Sequence, residues 1–269
     1  MSETPALSPS IGHVLTTESA LHAYTVHRLL GNMPRPVTAP QEGGQLIHAG
    51  MLEEWKGVEV LDFDNFRTNA AKEARDAARE AGLIPVLREK YEHAEHTVGR
   101  LNARLADLGI KLTGGEAEVS MEWNEPHERG DVLCHGRIDY LNDTGTVIYD
   151  VKTTEGSVSP QACANALVNG PGAIQAAAYT SAREKLDPDL AGRIRVIFLF
   201  CELREPYAVT PCEPSGSMQE LGESRWQRAI SEWGTCLADD EWPSHTLGIL
   251  RVDAPPWALA QELDKEFPI

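Results

Sequence analysis

The turn signal Asn142-Asp143-Thr144-Gly145 constrains this chain more than any other stretch. Asn, Asp and Gly are the residues that a tight connection between antiparallel strands demands. Gly136-Arg137-Ile138-Asp139 precedes it and Tyr149-Asp150-Val151-Lys152 follows it. Side chains alternate along a strand, so Asp150 and Lys152 point to one face. A loop of even length, either Asp143-Thr144 or Asn142 to Gly145, pairs position 139 with 148 and 137 with 150. Asp139 then shares a face with Ile148, Asp150 and Lys152. It becomes a diagonal neighbour of Asp150, roughly 7–8 Å away at the backbone. The other face carries Val132, Cys134, Ile138 and Tyr140 against Val147, Tyr149 and Val151, and reads as core. A loop of odd length would turn Asp139 towards that core.

Two carboxylates beside an ammonium group suit a hard divalent cation, Mg²⁺ or Mn²⁺, better than zinc. Such an ion can polarise a phosphodiester, help deprotonate a water and steady the leaving oxygen. A neighbouring lysine can position that water or offset charge at phosphorus. A surface hairpin with a solvated Asp/Lys pair is the bland alternative. Two further segments bear on the choice. Gly170-Pro171-Gly172 opens an alanine-rich helix in which Gln175 and Tyr179, four apart, share a face. As ordinary structure, Tyr179 would be core and Gln175 its rim. His48, within Gly43 to Glu53, is either a neutral imidazole ligand or a satisfied structural residue.

Taken together these segments resemble the PD-(D/E)XK nuclease superfamily. The match is nearest to its RecE-like branch (exonuclease VIII type), related to the nuclease domains of RecB and of the CRISPR adaptation nucleases. Gly44, His48 and Glu53 fit the branch's G-x3-H-x4-E helix. Gly136 to Asp139 fit its G-x-x-D strand, Asp150, Lys152 and Thr153 its D-x-K-T strand, and Gln175 and Tyr179 its Q-x3-Y helix. Leu7-Ser8-Pro9-Ser10, the strand from Glu118 to Trp123 and the tryptophans Trp226, Trp233, Trp242 and Trp257 extend the likeness over roughly residues 7 to 260. The resemblance implies that His48, Asp139, Asp150 and the Val151 carbonyl bind Mg²⁺ or Mn²⁺. It makes Lys152 the catalytic lysine and places Gln175 and Tyr179 beside the scissile phosphate. Glu118 and Glu53 are weaker candidates; an exposed edge position is the plainer reading of Glu118. The implied fold is α/β, a restriction-endonuclease-like core with a central mixed β-sheet flanked by helices and an N-terminal helical elaboration.

Composition narrows the rest. A 269-residue chain with 42% hydrophobic residues can bury one large core. One nuclease domain over 13–269 is expected after a flexible stretch at 1–12. Its parts are a mainly helical 13–112, a catalytic sheet at 113–212, and a closing helix and tail at 213–269. No apolar run is long enough to span a membrane, and no leader peptide is visible. The five cysteines lack C-x2-C spacing, which argues for a reducing, cytoplasmic setting in a bacterial or phage-infected cell. They also lack the early cysteine and late cluster that hold an iron–sulfur cluster in some relatives, so none is expected.

The pattern predicts helices over Thr16–Leu30, Gly44–Glu54, Thr68–Ala81, Pro85 to about Leu108 and Met218–Leu237. It predicts strands near Glu116, at 131–141, 146–153 and 195–201, and from Tyr207 to Cys212. The net charge of −17 opposes DNA binding. Arg67, Lys72, Arg75, Arg79, Arg88, Lys90, Arg100, Arg104 and Lys111 are the candidates for a local basic track.

The expected activity is a metal-dependent, ATP-independent exonuclease on linear double-stranded DNA ends. By the resemblance it works 5′ to 3′, leaves single-stranded tails for phage-type recombination, partners a single-strand annealing protein, and forms a homo-oligomeric ring. Alternatives are a RecB-like or CRISPR-associated nuclease of other polarity or endonuclease habit, a silent DNA-end or protein-binding module, and an acidic DNA mimic.

Overall fold

The computed structural model describes residues 4–36, 38–245 and 248–266. Strands β3 (Glu116–Glu125), β4 (Val132–Leu141), β5 (Val147–Thr154), β6 (Arg195–Glu202) and β7 (Val209–Cys212) form one sheet in sequence order. Neighbours are antiparallel except β5 and β6, which run parallel from Val147↔Arg195 to Thr154↔Glu202. A parallel pair needs a long crossover. Helices α6 (Pro160–Asn169) and α7 (Gly172–Leu186) supply it.

Helices α1 (Pro9–Thr17), α2 (Ala20–Val26), α7 and α8 (Ser217–Asp239) cover one face of the sheet. Helices α3 (Ala39–Leu52) and α5 (Arg88–Asp107) cover the other. Phe198 and Leu199 of β6 are fully buried, one to each side. Burying such a side chain is worth roughly 1.5–3 kcal/mol, which is why an uninterrupted apolar strand sits inside the sheet, between β5 and β7, rather than at its edge. The architecture is therefore a mixed α/β sheet between helical layers, as expected.

The details differ from expectation in informative ways. The hairpin strands do not have one apolar face and one polar face. Ile138, Cys134 and Ile148 belong to the core under α7 and α8, whereas Tyr149 and Val151 belong to the core under α3 and α5. The register also differs: Tyr140 pairs with Tyr149 and Leu141 with Ile148, which sets 139 level with 150 rather than 148. The turn is tightened by Asn142, whose Oδ1 accepts the N–H groups of Thr146 and Val147, and by Gly145 at φ +70°.

The N-terminal half is less helical than expected. Strands β1 (Val58–Leu61) and β2 (Ile84–Leu87) form a separate parallel pair that flanks α4 (Asn69–Glu80). Pro85 lies in β2, and α5 begins at Arg88. The expected helix Thr16–Leu30 is only the short α2, Ala20–Val26: α1 starts earlier, at Pro9, and ends at Thr17, and Ser19 caps α2 by accepting the His22 N–H. Residues 7–12 are built into the structure: Leu7 is fully buried, bridges to Cys134, and exchanges backbone hydrogen bonds with Leu133 and His135. Residues 1–3 and 267–269, at the two ends of the expected divisions, lie outside the described residues. A last helix, α9 (Pro256–Glu266), carries exposed Trp257 and Leu259. No described helix is long and apolar enough to cross a membrane.

Candidate functional site

The site forms where β4 and β5 part. Their ladder ends at Tyr140 and Tyr149. Beyond that point the Asp139 Oδ2 accepts the Val151 N–H at 2.7 Å, so a side chain takes over the role of a strand carbonyl. A buried N–H needs an acceptor, and this one is supplied by a carboxylate. The gap so opened faces α3 on one side and α7 on the other.

From α3 comes His48. Its Nε2 lies 2.8 Å from the Val151 carbonyl oxygen, and its Nδ1 lies 3.6 Å from Asp139 Oδ2. A carbonyl only accepts, so Nε2 carries the proton and Nδ1 keeps its lone pair towards the acid. Burial lowers the His48 pKa, with Asp150 acting in the opposite sense, and favours the neutral ring that a cation needs. Gly44 allows this approach. A Cβ there would stand 2.9 Å from Thr153 Oγ1, so any larger residue would make Thr153 or the helix shift.

From α7 come Gln175 and Tyr179, both buried. Gln175 Oε1 accepts from Lys152 Nζ at 3.0 Å. The Tyr179 hydroxyl donates to the Arg137 carbonyl at 3.0 Å and lies 3.4 Å from Gln175 Nε2. Burial holds the Tyr179 pKa well above the ordinary phenol value, so it stays protonated. Gly136 makes room for the ring, since a Cβ there would meet Tyr179 Cε1 at 3.2 Å.

Asp150 is 2% exposed, and Lys152 Nζ lies 2.6 Å from its Oδ1. The approach is that of an ion pair by distance, but not in the direction of a hydrogen bond: Oδ1 is buried and accepts none among the described residues. A buried carboxylate is costly unless a cation offsets its charge, and here the Lys152 ammonium does so. Asp139 beside it has its pKa pushed up to about 8, first by burial and then by the charge of Asp150. Crowding a buried acid against the charge of another is an arrangement that a bound cation would relieve.

Glu118 completes the cluster. Ligand atoms of His48, Glu118 and Asp139 lie within 4.8 Å of one another. Glu118 sits in mid-strand with φ +55°, and the β3–β4 ladder skips the 118–139 pair. A non-glycine residue in that conformation costs about 1–2 kcal/mol. The kink turns Glu118 inwards, where Arg137 Nε meets its Oε2 at 2.8 Å. Burial raises the Glu118 pKa against the opposing pull of Arg137. Glu118 was expected to be exposed at the edge, but its side chain is only 18% exposed. Glu53, the other weak candidate, is the C-cap of α3 and touches the cluster only through its field on Glu118.

The structure thus brings His48, Asp139, Asp150, Lys152, Gln175 and Tyr179 around one opening. The Val151 carbonyl is there too, with one lone pair given to His48. The donor set fits a hard cation: carboxylate oxygens, one neutral imidazole and a carbonyl. Sequence reasoning missed Arg137. Its signal was position alone, since it lies diagonally across the β3–β4 ladder from Glu118.

No family model and no curated protein sequence matches this chain. Among solved structures, SSO0001 aligns with a TM-score of 0.29 at 12% identity, over 69% of this chain and 86% of that one, and carries no argument. The crystal structure of a candidate exonuclease from Eubacterium rectale aligns with a TM-score of 0.58 at 12% identity, over 95% of this chain and 92% of that one. At that identity the likeness is one of fold, and nearly the whole of both chains shares it.

Proposed function

We propose that this protein is a metal-dependent nuclease that hydrolyses phosphodiester bonds of DNA, in the manner of the RecE-like exonucleases. The observation that carries the reading is the clustering of His48, Glu118 and Asp139 ligand atoms within 4.8 Å of one another, next to the buried Asp150 and its Lys152 partner at the opening between β4 and β5. A surface hairpin has no reason to bury such a set. The fold shared with the Eubacterium rectale protein, itself named as a candidate exonuclease, supports it.

His48, Asp139 and Asp150 would hold Mg²⁺ or Mn²⁺, with the Val151 carbonyl as a further donor. The cation would polarise the scissile phosphodiester and make a water more acidic. Lys152, fixed by Gln175 and Asp150, presents an ammonium group to the charge that builds on the phosphate oxygens. Tyr179 keeps its proton and holds the Arg137 carbonyl, which fixes the strand bearing Asp139 against α7.

The substrate reading is linear duplex DNA, degraded from the 5′ end. The expected basic track supports it only in part. Arg75, Arg79, Arg88 and Arg104 pair with Asp76, Glu42, Asp62 and Asp107, and so have much of their charge offset. The cations at the opening itself, Lys152 and Arg137, then matter most.

Incubation of duplex DNA labelled at either end with Mg²⁺ tests the proposal. Early release of the 5′ label is the expected result. Cutting of closed circles would replace the exonuclease reading with an endonuclease one. No cutting with either Mg²⁺ or Mn²⁺ would refute the activity.

A further inference from the structure

Arg137 has a guanidinium that is both bonded to the His48–Glu118–Asp139 cluster, through Glu118, and open to solvent. Its side chain is 67% exposed, while the Glu118 it grips is 18% exposed. Glu118 therefore faces two cationic partners. One is Arg137, and the other is whatever ion His48 and Asp139 hold, since the three ligand atoms lie within 4.8 Å. An acid oxygen turned to a divalent ion gives up much of its attraction for an arginine. The kinked backbone at Glu118, φ +55°, keeps the carboxylate aimed at the cluster, so the arginine is the member free to leave. Its charge already acts on His48, Glu118 and Tyr179. The released fork suits a phosphate, which it can bind through two N–H groups at once.

We propose that Glu118 and Arg137 form an exchange pair: cation binding takes Glu118 as a ligand and frees Arg137 to bind a backbone phosphate of the DNA. The proposal rests on the nuclease reading above. It also gives an acidic protein a reason to bind DNA only when loaded with metal. Before loading, Arg137 is neutralised in place. Afterwards its charge is delivered at the opening, next to the bond to be cut.

The test uses Mn²⁺ binding by titration calorimetry and the binding of a short 5′-phosphorylated duplex in Ca²⁺ or in EDTA. The proteins are wild type, Glu118→Gln, Arg137→Gln, Arg137→Lys and the double variant Glu118→Gln with Arg137→Gln. Glu118→Gln is expected to weaken Mn²⁺ by roughly tenfold or more. Arg137→Gln is expected to tighten Mn²⁺ several-fold, and to do so only where Glu118 is present, which separates competition from a general charge effect. In Ca²⁺, Arg137→Gln is expected to lower the salt dependence of DNA binding by about one phosphate contact, with Arg137→Lys recovering the slope but not the full affinity. Equal Mn²⁺ affinity in wild type and Glu118→Gln, or an unchanged salt slope in Arg137→Gln, overturns the exchange and leaves the nuclease reading standing. A wild-type protein that takes up no Mn²⁺ overturns both.

Discussion

Asp139 Oδ2 accepts the Val151 N–H at 2.7 Å at the point where β4 and β5 stop pairing. One carboxylate thus closes the strand ladder and joins the His48–Glu118 cluster at the same time. This double duty separates the expected effects of Asp139 variants. Asp139→Asn keeps an acceptor for Val151 and should fold, but lose divalent-ion binding. Asp139→Ala should lose both. Melting curves with and without Mn²⁺ distinguish them.

The raised Asp139 pKa makes the metal-free protein sensitive to alkali. Its folded value, about 8, stands above the ordinary 3.8, so the native state holds the extra proton. Stability from this group is full below the ordinary value and is lost as pH rises from about 4 to about 8. The metal-free protein should therefore melt several degrees lower at pH 8 than at pH 6. Mn²⁺ should remove most of that difference, and Asp139→Asn should abolish it. A metal-free melting point that does not change over this range refutes the assignment.

Lys152→Ala should reduce turnover by roughly 10²–10³-fold while leaving most DNA affinity. It also strips the buried Asp150 of its ion-pair partner. The metal-free variant should be less stable than wild type, and divalent ions should recover more stability in it than in wild type. Unchanged turnover would remove Lys152 from the chemistry. His48→Ala, by contrast, should weaken Mn²⁺ roughly 10–100-fold with little loss of stability.

Gly44→Val tests whether helix position matters apart from the ligands. The added side chain meets Thr153 Oγ1 and should lift α3 from β5. Metal affinity should fall although every ligand is intact. An unaltered Mn²⁺ titration would show that α3 can shift without cost.

Glu125 is a structural counterpart to the site. It is 1% exposed and accepts from Trp123, Ser181 and Trp226, with Lys185 Nζ at 3.1 Å. Burial pushes its pKa up, but these partners outweigh it and hold the acid below its ordinary value. Its contribution is present above that ordinary value and is lost on acidification. Glu125→Ala leaves several buried donors and a lysine unpaired, and should cost about 3–5 kcal/mol by denaturant unfolding. Specific activity per folded molecule should be preserved.

Much of the arrangement was legible in the chain because local chemistry and fold agree there. The turn at 142–145, the apolar run that became β6 and the order His48, Asp139, Asp150, Lys152 each carry their own signal. The register slipped by two residues because Asn142 uses its side chain to cap Thr146 and Val147, which periodicity does not reveal. The single-core reading of the hairpin failed because helices cover both faces, a tertiary fact. Pro85 looked like a helix start, and pairing with Glu59 made it a strand residue instead. Glu118 was undervalued since nothing in its neighbours announces a left-handed backbone.

Leu7 lies against the back of β4, hydrogen-bonded to Leu133 and His135, six and four residues upstream of Asp139. A protease that clips the amino end just past Leu7 would therefore act at a distance on cation affinity, by loosening the strand from behind.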